Sequence, residues 1–136
     1  MIIGGKGFTR KELEQRIGNV AQLGGTRHYT LNEGLSKGVD AIDCRTGAGL
    51  QFTVVPDRGM DISQAAYNGT NLVFLTPYGE VNGDRYSPVG TEWLRNFFGG
   101  LLTTCGLTYL GPPGKDGDQE LGLHVRISTI PAQPVR

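Results

Sequence analysis

From Glu120 to Ser128 apolar and polar side chains alternate with a period of two. Leu121, Leu123, Val125 and Ile127 fall on one face of an extended strand, and Glu120, His124, Arg126 and Ser128 on the other. The spacing predicts a half-buried strand that gathers an acid, an imidazole, a guanidinium and a hydroxyl on its open side. A polar ligand such as a sugar needs that arrangement.

Residues 9–24 carry the one helical pattern. Thr9-Arg10-Lys11-Glu12 fits a capping box, and Leu13, Ile17, Val20 and Ala21 recur at helical spacing, with Gly24-Gly25 as the stop. Gly18 weakens the middle by roughly 1 kcal/mol relative to Ala. Short strand patterns follow over 26–31, 39–44, 50–54, 60–67 and 72–75. Pro56-Asp57-Arg58-Gly59 predicts a turn and Asn68-Gly69 a tight hairpin. Residues 76–92 form a long loop, of the kind usually found to be functional or mobile. Residues 93–98 predict a short helical turn or an apolar anchor, residues 101–107 a buried strand, and residues 111–118 a loop. Pro131 and Pro134 close the chain in extended form. Strands at roughly 8–12-residue spacing predict an all-β, mainly antiparallel sandwich or barrel with one N-terminal helix. The division is 1–25 as a helical segment and 26–136 as the β-sandwich.

Composition narrows the function. The 136 residues suffice for one core, and 22 glycines without a repeat read as turns and bulges between short strands. Thirteen basic and thirteen acidic side chains cancel, which leaves no electrostatic footprint for nucleic acid. No apolar run approaches a membrane span, and no signal peptide is legible at the N-terminus. Cys44 and Cys105 stand too far apart in sequence to suggest a zinc site or a disulfide scaffold. Cytoplasmic location and no metal are the expectations. Neither Gly99-Gly100 nor Gly111–Gly114 is followed by the Lys-Ser/Thr pair of a phosphate loop.

The stretch Gly47–Ile62, with Pro56-Asp57-Arg58-Gly59-Met60-Asp61 at its heart, resembles the signature of an uncharacterised bacterial family related to the aldose 1-epimerases, or galactose mutarotases. Trp93-Leu94-Arg95, Phe98–Leu107 and Glu120–His124 strengthen the resemblance, which spans most of the chain. It implies a partial mutarotase-like β-sandwich, a groove on one sheet that takes a sugar or sugar derivative, and acid–base interconversion of anomers without metal or organic cofactor. His124 resembles the first histidine of that superfamily, as an acid or a substrate contact. Arg126 resembles the arginine that follows it in related hexose-phosphate epimerases, and Arg95 the arginine ahead of a glycine pair. Val125 stands where glycine is common. The resemblance covers the N-terminal half of such a domain, so the second histidine and the carboxylate base are expected beyond Arg136. A homo-oligomer, or pairing with the missing half, is expected to cover the exposed face. The alternative is a non-catalytic sugar-binding or assembly module, or an inactive piece that self-associates.

Each candidate also has a purely structural reading. Arg126 could contact sugar hydroxyls or a phosphate, or pair with Glu120, Asp118 or Glu92. Arg95 has the same choice. Asp57 and Arg58 could wall the groove, or serve the turn, with Arg58 pairing Asp61. Trp93 could stack on a pyranose, or sit in the core beside Leu94, Phe97 and Phe98. His28 reads as a surface strand position, and Glu120 as a group orienting Arg126.

Overall fold

Asn68 and Gly69 both adopt positive φ, 48° and 80°, as the tight hairpin turn inferred from the Asn-Gly pair requires. The computed structural model describes residues 1–133; Pro134 lies outside the described residues. The chain begins with a small hairpin, β1 (Ile2–Ile3) and β2 (Lys6–Gly7), and one helix, α1 (Arg10–Glu14). Thr9 and Glu12 form the capping box reciprocally, with the Thr9 N–H on the Glu12 carboxylate at 2.8 Å. The helix is only five residues long, far shorter than the helical pattern over 9–24. Gly18 and Asn19 interrupt that pattern, and the Asn19 side chain caps a separate 3-10 turn at Val20–Gln22.

The body of the structure is an antiparallel meander of five strands: β3 (Gly25–Thr30), β4 (Asp40–Arg45), β5 (Leu50–Val55), β6 (Asp61–Tyr67) and β7 (Thr70–Asn71). The 3-10 turn Pro56–Arg58 joins β5 to β6, ending on Gly59 in left-handed backbone. A bulge at Ser63 shifts the β5–β6 register between Thr53 and Val54. Paired residues share a face. Ala41, Val55 and Asp61 lie on one side and are buried; on the other, Ile42 and Ala65 are buried while Cys44, Phe52, Val54 and Ile62 are half-buried.

Beyond the meander, β8 (Phe74–Leu75) pairs with β9 (Gly99–Gly100), and Leu102 bridges to Ile62. Gly99 and Gly100 have φ of 88° and 84°; a Cβ on either would strike the carbonyl oxygen of Phe74 or of Ile62. The glycine pair therefore serves a close backbone crossing. Residues 101–107 form no strand. Leu101 and Leu102 are half-exposed, and Leu107 is 86% exposed. The last ladder is the short hairpin of β10 (Gly114–Asp116) and β11 (Gln119–Leu121). The architecture is all-β and mainly antiparallel, as expected.

Candidate functional site

The alternating segment does not continue as a strand. It leaves β11 at Leu121 and turns, with His124 and Val125 both in left-handed backbone at φ 53° and 49°. Two consecutive left-handed residues abolish the period-two geometry. The polar face inferred for Glu120–Ser128 therefore does not form. Ser128 is fully buried, Arg126 is exposed and His124 is half-buried. Three backbone contacts hold the turn. The His124 N–H donates to the Gly111 carbonyl at 3.3 Å, the Gly106 N–H donates to the His124 carbonyl at 3.2 Å, and the Leu123 N–H donates to Gly90 at 3.0 Å. Gly122 lies so close to Pro88 that a Cβ would meet the Pro88 carbonyl.

The His124 ring is oriented by two neighbours. The Gly111 N–H donates to Nδ1 at 3.2 Å, and Trp93 meets the imidazole edge-on with centroids 5.0 Å apart. A nitrogen that accepts from an N–H carries no proton, so the neutral ring holds its hydrogen on Nε2. Nε2 makes no hydrogen bond among the described residues and is left to donate.

Arg126 lines a hollow of about 490 Å3 together with Tyr86, Pro88, Glu120, Val125 and Ile130. Burial pushes the Tyr86 phenol up, and the nearby Arg126 guanidinium pulls it the other way. His124 stands beside this hollow, not in its lining. Val125, Arg126 and Gly106, whose N–H bonds the His124 carbonyl, form the adjoining wall. Arg126 makes no ion pair among the described residues, and Glu120 instead pairs with Lys115 at 3.3 Å.

The other candidates fall elsewhere. Arg95 pairs with Glu92 at 2.8 Å on the surface. Trp93 is 5% exposed and donates from Nε1 to the Ser128 hydroxyl at 3.1 Å. It belongs to the core, stacked on Phe97, where no pyranose can reach its face. Arg58 is likewise an interior residue and not a groove wall. It does not pair with Asp61. Its Nε and two terminal nitrogens donate to the carbonyls of Ser128, Val81 and Asn96 at 2.6, 2.7 and 2.8 Å, and the guanidinium lies over the Phe98 ring. Asp61 accepts from the Thr104 N–H instead. Its other oxygen is buried without a partner, and burial pushes the carboxyl up. Asp57 accepts from the Asp40 N–H at 2.7 Å, tying the turn to β4. His28 is exposed on β3.

Tyr86, Gly111 and Ser128 complete the site, and sequence reasoning did not reach their roles. Tyr86 sits in a loop with no periodicity, Gly111 contributes only a backbone N–H, and the period of two puts Ser128 on the open face of a strand that does not form. The length of the 76–92 loop was the one available signal. Among the described residues no three His, Cys, Asp or Glu side chains converge as a metal site would require, and no helix is long and apolar enough to cross a membrane.

Residues 36–136 match a family model described as a domain of unknown function, DUF4432. No curated protein matches the chain. The crystal structure of a Klebsiella pneumoniae protein, provisionally assigned as an aldose 1-epimerase, superposes with a TM-score of 0.68 at 22% identity. The match covers 88% of this chain and 35% of that one, so this chain spans little more than a third of that protein's length. The likeness establishes a shared fold, in keeping with the relation to the aldose 1-epimerases expected from the sequence.

Proposed function

The chain belongs to the DUF4432 family, and on that footing we propose that it carries part of a carbohydrate site of aldose 1-epimerase type. A sugar or sugar derivative occupies the hollow at Tyr86 and Arg126. The guanidinium donates to its hydroxyls or to an anionic substituent. What supports this most directly is the Gly111 N–H on Nδ1 of His124, which leaves Nε2 to carry the proton on the residue that directly precedes Val125 and Arg126 of that wall. In that state the imidazole donates a hydrogen bond to a ring or hydroxyl oxygen. Interconversion of anomers also needs a base to take the anomeric hydroxyl proton and an acid to protonate the ring oxygen as the ring opens. Glu120, the carboxylate nearest His124 in sequence, is engaged with Lys115. The second reading, sugar binding without turnover, draws on that ion pair.

Anomer exchange of common aldoses, followed by NMR saturation transfer, separates the two readings. Exchange that disappears in His124→Ala supports the epimerase. Sugar-dependent thermal stabilisation without exchange supports the binding module. Absence of both sinks the carbohydrate site. Size exclusion at several concentrations tests the companion proposal, that a second copy covers the half-buried Phe52, Val54 and Ile62 on their side of the meander.

A further inference from the structure

Resting on the sugar reading of His124, we infer that Trp93 positions the imidazole and that its own place is set by a buried chain reaching back to Arg58. The chain has four steps. The Arg58 Nε–H grips the Ser128 carbonyl at 2.6 Å. The Ser128 hydroxyl, on the same residue, accepts the Trp93 indole N–H at 3.1 Å. Trp93, 5% exposed, has its ring at 87° to the imidazole with centroids 5.0 Å apart. The Gly111 N–H closes the far side of the imidazole at Nδ1.

Arg58 and Ser128 are fully buried and Trp93 is 5% exposed, so close packing restricts the rotamers open to all three. A T-shaped aromatic contact is directional because the positive edge of one ring seeks the negative face of the other. Fixing the indole therefore restricts rotation of the imidazole about its Cβ–Cγ bond. The backbone adds to this. His124 is held in left-handed conformation by hydrogen bonds at both its N–H and its carbonyl. Trp93 is a positioning residue in this scheme. It touches no ligand and acts by keeping Nδ1 on the Gly111 N–H, which leaves the proton on Nε2.

The chain contains two histidines, and exposed His28 on β3 serves as an internal reference. Nitrogen-15 spectra of the imidazoles at a pH where both are neutral report the tautomer of each. His28 sets the free-imidazole mixture, in which Nε2–H is already the major form, and in the wild type His124 is expected to show Nε2–H almost exclusively. Ser128→Ala removes the hydroxyl that holds the indole, and Trp93→Phe removes the N–H while keeping an aromatic ring. Both are expected to move His124 towards a mixture of tautomers and to leave His28 unchanged. An unaltered His124 spectrum in the two folded variants overturns the inference. If neither variant folds, the wild type decides alone. Nuclear Overhauser contacts between the Trp93 and His124 ring hydrogens, with an Nε2–H form well in excess of that at His28, support the scheme; a mixture like that of His28, or missing contacts, overturns it. Titration of the wild type with glucose or galactose keeps the two readings apart. A His124 that responds to Trp93 substitution but not to sugar upholds the positioning role and removes the carbohydrate assignment.

Discussion

Arg58 and Ser128 are separated by 70 positions, yet the Arg58 Nε–H donates to the Ser128 carbonyl at 2.6 Å in the fully buried interior. With Val81 and Asn96 as its other acceptors, one guanidinium ties three distant loops to the turn that follows β5. The planar fork supplies donors in fixed directions, and delocalisation makes its charge less costly to bury than an ammonium. Burial still pulls the Arg58 pKa down from its ordinary value, with Asp61 opposing.

Arg58→Met is expected to strand three buried carbonyls. At roughly 1–3 kcal/mol for each unsatisfied group, the loss reaches at least about 3 kcal/mol. That is a large share of a typical domain's stability. Arg58→Lys restores one charge but cannot reach all three acceptors, so it falls between. Urea midpoints of the three proteins check the order.

Val125 is β-branched and sits at φ 49°, where a side chain is strained. Val54 is also half-buried but lies in the extended backbone of β5. Valine to glycine deletes the same side chain from a half-buried position at both sites, and only at 125 does it relieve strain. Val125→Gly should therefore destabilise less than Val54→Gly, by about 1–3 kcal/mol. Equal losses in thermal unfolding would show that the left-handed turn holds no strain.

Gly122→Ala places a methyl group against the Pro88 carbonyl. The segment must back away, and the Leu123 N–H to Gly90 bond stretches with it. A loss of about 1–3 kcal/mol is expected from this overpacking. Backbone amide shifts should concentrate at 88–90 and 121–126, the walls of the hollow. Shifts confined to residue 122 and its neighbours in sequence would contradict the close approach.

Asp61 gives a pH dependence with a definite sign. Burial raises its pKa in the folded chain, so between the unfolded and folded values the native state holds the proton more tightly. Its contribution is most favourable below the ordinary carboxylate range and is lost as pH rises through the folded value. The stability of the wild type relative to Asp61→Asn should therefore decline from acid towards neutral pH. Denaturation midpoints of both proteins across that range test it, and a rising difference would refute the burial account.

Much of the fold was legible from local patterns because local chemistry fixed it. The Thr9–Glu12 capping box, the Asn68-Gly69 turn, the strands around β5 and β6 and the Arg95–Glu92 pair all join near neighbours in sequence. Alternation failed at residues 122–128, where contacts with Pro88, Gly90, Gly106 and Gly111 bend the chain against its own pattern. The helical pattern over 9–24 failed because α1 already caps at Gln15, and Gly18 and Asn19 separate it from the 3-10 turn at Val20–Gln22.

The sequence by itself determined the strand-rich class, the turn chemistry and the residues that could carry a sugar site. Tertiary structure alone decided which of them are available. It buried Arg58 and Trp93, left Arg126 in a hollow and aimed Gly111 at the His124 ring. The physical reason is that a side chain's exposure and proton placement depend on groups brought together across long stretches of chain. Period and propensity describe only neighbours along it.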